Sequence, residues 1–377
     1  MGLTARQLNR ATLDRQMLLR RERVGAVDGV RRVVALQAQE PASPYLALWN
    51  RIDGFGPAGL DAAFADRAVV KATLVRLTLH AVHAEDWAAF HNAMLPSLRA
   101  SRLFDPRFTR SGLSAEETDA LLPRLARFLA RPRTGAEIEA LLETHVGAGS
   151  RAAWWALRKF APMHHVPTGG PWSFTASPSF VTAPGALGPD SWAESVQWLV
   201  LRYLRAFGPA SVADCAQFAM LRRPVVTGAL KALGDKVERV SGPGGAALFD
   251  VAGACVPDED VVAPPRLLPM WDSILLAYAD RGRVIPADYR PVVVRRNGDV
   301  LPALLVDGHV AGVWRPVGDG IEATAFHRLD RRAWQGLAAE AAALLAFLAD
   351  RDPAVYQRYA HWWTKGLPGA EVRLLTA

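Results

Sequence analysis

Residues 192–251 read WAESVQWLVLRYLRAFGPASVADCAQFAMLRRPVVTGALKALGDKVERVSGPGGAALFDV. The spacing of apolar residues predicts a helix over 192–207, broken by the Gly208-Pro209 pair. Ser211 is placed to N-cap a second helix over SVADCAQFAM. Pro224 opens a third, at the first helical position, where its missing N–H is harmless. VERVSGPGGAALFDV then reads as strand, glycine-rich turn, strand. Helix-turn-helix followed by a hairpin is the winged-helix pattern, whose recognition helix suits a DNA major groove.

The same order recurs twice upstream. In the first unit, helices are expected over 4–16, 25–36, 44–51 and 57–64, a hairpin over 68–75 and 78–83, and a further helix over 85–94. In the second, Ser114 caps an amphipathic helix over 114–130, and Thr134 with Glu137 makes a capping box. SRAAWWALRKF forms a third helix, and MHHVPTGGPWSFT (163–175) gives two short strands around Gly169-Gly170. After Asp260 the character becomes antiparallel. Asn297-Gly298 marks a hairpin in PVVVRRNGDV, Asp307-Gly308 marks another turn, and helices close the chain over 330–348 and 353–362. The expected fold is therefore α+β, with three tandem winged helix-turn-helix units over 1–110, 111–188 and 189–258, and a β-rich region with closing helices over 259–377.

Length and composition agree. A chain of 377 residues, half of them apolar, holds roughly two to four such units. Cys215 and Cys255, the only cysteines, are too few for a zinc or iron–sulfur centre and point to a reducing compartment. The N-terminus lacks an apolar signal core, and the longest apolar stretch, 336–349, is short and carries Glu340. A cytoplasmic, nucleoid-associated protein is expected. Net charge is +7 and the pI about 9.8, which favours a polyanionic partner. Apart from Lys71, Lys159, Lys231, Lys236 and Lys365, all 44 basic residues are arginine. Arginine binds phosphate through a bidentate fork, although a genome rich in Arg, Ala and Gly codons produces the same bias.

The segment RRVVALQAQEPASPYLALWNRI (31–52) carries the chemistry. Pro41 disfavours helix at Glu40, so the second helix should end near residues 37–39. In an extended exit, residues two apart point to the same side, so Gln37 and Gln39 are expected to present two amides to one cavity with Ala38 turned away. Taken alone, two glutamines at a helix end satisfy backbone groups and nothing more. The segment, however, occurs with LVRLTLHAVHAEDW (74–87), LLPMWDSILLAYADRGRVIP (267–286) and LLVDGHVAGVWR (304–315), in that order. Together these resemble the AlkZ/YcaQ-type winged-helix DNA glycosylases, which carry Gln-x-Gln or Gln-x-Asp between a helix and a proline. The Gln-Ala-Gln form is similar to the AlkZ branch, self-resistance enzymes acting on crosslinks made by a DNA-alkylating natural product. The resemblance implies three winged helices around a concave DNA-binding face, with Gln37 and Gln39 as the catalytic pair.

Residue chemistry limits what such a pair does. A carboxamide is no general base, but its oxygen orients a water and places partial negative charge beside a developing oxocarbenium ion. That suffices for a leaving group already activated. Hydrolysis of the N-glycosidic bond of cationic N7- or N3-alkylpurines is expected, N7-alkylguanine foremost, with Gln39 orienting water and Gln37 assisting. Schiff-base chemistry would need an amine. Lys71 reads as a solvated strand residue, so a monofunctional enzyme is expected. His80, in the TLH segment, is a candidate to line the site or to serve as a structural hydrogen bonder. His164 and His165 should point to opposite faces of a strand. No HExxH-like pair occurs, and neither metal nor cofactor is expected. Asp272 and Arg281 read as intramolecular partners. For DNA contact, Arg295, Arg296 and Asn297 form a basic hairpin tip, and Arg222 and Arg223 precede the helix that Pro224 opens. The expected partner is double-stranded DNA carrying alkylated purines or crosslinks, bound by a monomer. A winged-helix transcriptional regulator without catalysis is the alternative, and such a regulator has no need of paired amides.

Overall fold

The computed structural model describes residues 2–376. Local capping chemistry sets several helix starts. The Thr4 hydroxyl accepts from the Gln7 N–H and the Gln7 side chain answers at Thr4, opening the Ala5–Arg15 helix. Reciprocal boxes at Ser114/Glu117, Thr134/Glu137 and Ser211/Asp214 do the same for three later helices. Residues 192–251 fold as read. The Trp192–Phe207 helix buries Val196, Leu199, Val200, Tyr203 and Leu204, and the Val212–Ala219 and Arg223–Leu233 helices follow.

The six strands β1 (Leu36–Gln37), β2 (Val69–Thr73), β3 (Leu79–His83), β4 (Arg133–Thr134), β5 (Met163–Val166) and β6 (Ser179–Thr182) make one sheet, ordered β1-β3-β2-β5-β6-β4. Lys71 of β2 lies opposite His165 of β5, so the β2–β3 and β5–β6 hairpins are joined in one sheet. An isolated two-stranded ribbon exposes an unpaired edge, and this pairing covers it. A separate ribbon, β7 (Val237–Ser241) and β8 (Ala247–Val251), follows the Arg223–Leu233 helix. The C-terminal sheet runs β13-β12-β11-β10-β9, from β9 (Arg266–Leu268), β10 (Ala303–Val306), β11 (His309–Val317), β12 (Gly320–Ala325) and β13 (Glu371–Leu375), with the Arg331–Ala349 helix packed on it.

Four local expectations fail for identifiable reasons. The helix expected over 114–130 divides into Ala115–Ala120 and Leu122–Phe128, because Pro123 cannot donate within a continuous helix. The run WSFT is no strand: Phe174 meets Phe64 edge-on at 4.9 Å, and the Trp172 Nε1–H donates to Asp352 at 3.0 Å. Tertiary contacts take both aromatics, and the second strand of that hairpin forms later, at Ser179–Thr182. The segment before Asn297-Gly298 is not a strand either. Pro291 starts a short helix, Arg290–Val293, and only the Val294–Val300 bridge remains of the hairpin. Residues 353–362 hold only a 3-10 turn, Gln357–Tyr359, and the start of the His361–Thr364 helix.

Two buried links hold the N-terminal helices to the C-terminal region. Arg51 and Asp272, with fully buried side chains, form a bidentate pair with both bonds at 2.8 Å. At the Asp307-Gly308 turn, the Asn9 Nδ2 donates to the Gly308 carbonyl at 2.7 Å. Gly308 has φ +80°, and a Cβ there would fall 2.3 Å from the Asn9 Oδ1. Gly308→Ala is therefore expected to lower unfolding free energy by about 1–3 kcal/mol in denaturant titration. A loss too small to measure would show that this turn relaxes without cost.

Candidate active site

The Ala26–Val33 helix ends earlier than the proline alone requires. Val34 takes a left-handed φ of +72°, and the chain enters β1 at Leu36. Gln37 is thereby inside a strand, opposite His80, and Ala38 donates to the Leu79 carbonyl at 2.7 Å. Gln37 is buried, only 4% exposed, and its Oε1 accepts from the Gln39 backbone N–H at 2.9 Å. Gln39 lies past the strand end and is exposed, its Oε1 3.4 Å from the Leu79 N–H. The two amides thus do not face one cavity side by side, as the extended-exit reading expected. Strand pairing holds the first inside, where it fixes the backbone of the second.

Gln39 opens on a cavity of about 370 Å³, whose walls include Glu40, Lys71, Leu79, His165 and Arg358. That volume suits a base or sugar-sized group. Glu40 pairs with Arg358 at 2.6 Å, and burial holds its carboxyl above the usual range against the pull of Arg358. Lys71 is not the solvated strand residue expected. It is 4% exposed, its Nζ 4.3 Å from the Phe174 ring centroid, and burial pushes the amine down to about 8 while Glu40 draws it up. It stays mainly protonated at neutral pH, as an ammonium over an aromatic face.

His80 does not line this cavity. It is buried on the sheet beside Gln37, its Nδ1 3.1 Å from the Thr78 carbonyl, and burial with the charge of Arg76 lowers it to about 3. His165 does line it, lowered to about 3 by burial and by Lys71 and Lys159. His164 points the other way and meets Trp87 edge-on at 4.5 Å. None of the groups expected to hold DNA reaches the cavity wall. Arg222 and Arg223 are exposed at the start of the Arg223–Leu233 helix. Arg295 stacks over Trp362 at 4.5 Å, and Arg296 and Asn297 are exposed, with the Asn297 Nδ2 donating to Asp299 at 3.0 Å. Of the wall residues that sequence reading missed, Glu40 was signalled by its place directly after the motif. Arg358, which arrives from the far end of the chain, carried no local signal.

Three buried histidines and the half-buried His165 give a pH signature. His80, His91, His164 and His165 are held at about 3, 4, 4 and 3, chiefly by burial. An unfolded histidine binds its proton near 6.5. Between those values the unfolded chain binds more protons than the folded one. Their contribution is therefore complete above about pH 6.5 and is lost on acidification, by on the order of 1 kcal/mol per pH unit for each. The thermal unfolding midpoint should fall clearly between about pH 7 and pH 5. A midpoint flat over that range would contradict the neutral state of these rings.

The model of the "DNA glycosylase AlkZ-like" family matches residues 30–347, and the chain belongs to that family: it is a DNA glycosylase. Among curated proteins it is similar to the interstrand DNA cross-link repair glycosylase of Streptomyces sahachiroi, 25% identical over 357 residues, which cover 89% of this chain and 94% of that one. Among solved structures it is similar to the Streptomyces sahachiroi DNA glycosylase AlkZ, with a TM-score of 0.78 at 22% identity, covering 92% of this chain and 96% of that one. The latter likeness is one of fold, a mixture of helix and sheet.

Proposed function

We propose that this DNA glycosylase hydrolyses the N-glycosidic bond of cationic alkylpurines, N7-alkylguanine foremost, and leaves an abasic site. The observation that carries the reading is the exposed Gln39 amide on a sugar-sized cavity, with its backbone held by the Gln37 Oε1 at 2.9 Å. Gln39 orients the attacking water through its carbonyl oxygen and sets partial negative charge beside the oxocarbenium ion. Gln37 keeps Gln39 in place. The leaving group already bears positive charge, so no strong acid is needed, and the neutral His165 fits that role-free surrounding. Burial pushes the Lys71 amine down to about 8 and so makes it a better nucleophile than a solvated lysine, and strand cleavage before alkali is the readout that separates lyase from monofunctional chemistry.

The printed activity of the Streptomyces sahachiroi relative, interstrand cross-link repair, extends the proposal to unhooking of crosslinked duplex. A base tied to both strands cannot swing into a deep pocket. The reading therefore includes an open approach from a groove, with the three helical units forming one concave face around monomeric contact with the duplex. The test is incubation with duplex containing N7-methylguanine and with an N7-linked crosslinked duplex. Free base, alkali-labile sites and separated strands are expected, without strand cleavage before alkali. Binding without base release from either substrate would instead favour a non-catalytic DNA binder.

A further inference from the structure

The turn at residues 74–78, which joins β2 to β3, is ringed by Arg76, Arg281 and Lys159, none of which forms an ion pair with a carboxylate among the described residues. Arg76 sits on its tip, its guanidinium 5.7 Å from the Phe218 ring centroid. The Arg76 Nη1 and the Arg281 Nε are buried without a hydrogen-bond partner among the described residues. The charges felt by these groups are mostly of their own sign. Burial and then Arg281 lower Arg76 to about 10, and burial and then Arg290 lower Arg281. On the other flank the Lys159 Nζ donates to the Leu77 carbonyl at 3.3 Å, and burial with Arg102 and Arg158 lowers it to about 8. Arg158 and Lys159 share a small recess with His165, which also lines the main cavity.

Desolvating like charges side by side is unfavourable, and a fold gains nothing from it unless an anion completes the arrangement. Guanidinium forks match the paired oxygens of a phosphodiester, and because Arg76 and Arg281 are only half-buried, their outward N–H groups are available to one while the buried ones stay unpaired. The location is also apt. The turn leads directly into Leu79, whose N–H lies at the Gln39 Oε1, and into His80, which backs Gln37. We propose that Arg76 and Arg281, with Lys159 on the opposite flank, form a phosphodiester-binding cradle at the β2–β3 turn that fixes the nucleic-acid backbone beside the Gln39 cavity. This rests on the family's action on DNA and not on the identity of the excised base. It is a backbone contact additional to the one expected at the exposed Arg222 and Arg223.

The test uses an undamaged duplex, so failure of the proposed base chemistry leaves it intact. Affinity is measured as a function of salt for the native chain, Arg281→Met and Arg76→Met, together with the thermal midpoint of each free protein. Each variant should bind about tenfold more weakly at low salt, with the slope of log affinity against log salt reduced by about one. Free Arg281→Met should be as stable as the native chain or more so, because a like-charge contact is removed. A merely structural role predicts the reverse: lower stability and an unchanged slope. Unchanged affinity and slope in both variants would overturn the cradle. So would stabilisation of the native chain by inorganic phosphate with no effect of either variant on duplex binding, which would assign the site to a free anion.

Discussion

Gln39→Ala should reduce single-turnover base release from N7-methylguanine duplex by about a hundredfold to a thousandfold, with duplex affinity nearly unchanged. The side chain is exposed on the cavity, and its single hydrogen bond to the fold is the long 3.4 Å contact with the Leu79 N–H. Truncation therefore removes the amide from the cavity and disturbs the fold little. Gln39→Asp and Gln39→Glu keep an acceptor oxygen at that place and should retain much of the rate. Gln37→Ala should act differently. Its Oε1 holds the Gln39 N–H from a buried position, so its loss frees the backbone that aims Gln39 and also lowers stability. A Gln39→Ala enzyme as fast as native would remove the amide from the chemistry. Near-complete loss in Gln39→Asp would show that the role is not that of an acceptor oxygen.

Arg51→Met should cost about 3–5 kcal/mol of unfolding free energy, the largest single-site loss expected in this fold. Both partners of the Arg51–Asp272 pair are fully shielded from water, and the Arg51 guanidinium also donates to the Ala47 carbonyl at 2.9 Å. Removing it leaves the Asp272 carboxylate buried with only the Ile274 N–H, at 3.2 Å, as a remaining donor. The charge, not the lost volume, makes the cost. Arg51→Met combined with Asp272→Leu should recover part of it, since neither residue of the double variant carries a buried charge. Denaturant unfolding of the three proteins tests this. A loss below about 1 kcal/mol in Arg51→Met would mean that water or another cation reaches Asp272.

Much of this architecture is written in local chemistry. Ser211, Thr134 and Ser114 announce their helices through caps that depend on a few neighbouring residues, and each forms. The Asp307-Gly308 turn likewise appears between β10 and β11. Non-local competition decided the rest. Trp172 and Phe174 alternate as a strand would, yet partners at Asp352 and Phe64 hold them in a loop. The junction of β2 with β5 at Lys71 and His165 has no signature in either segment. The candidate site divides in the same way. The Gln-Ala-Gln segment and its proline could be singled out, and Asp272 was rightly read as an intramolecular partner. The inward turn of Gln37 followed from a helix ending at a left-handed Val34, which a β-branched residue does not advertise. Lys71 looked solvated because its burial comes from Phe174, about a hundred residues away, and from the Glu40–Arg358 pair across the cavity.

The most direct measurement is release of N7-methylguanine from duplex DNA by the native chain and by Gln37→Ala/Gln39→Ala, with duplex binding recorded for both. The account predicts release by the native protein, loss of release in the double variant, and binding by each. Equal release by the two proteins would contradict the placement of the chemistry at Gln37 and Gln39.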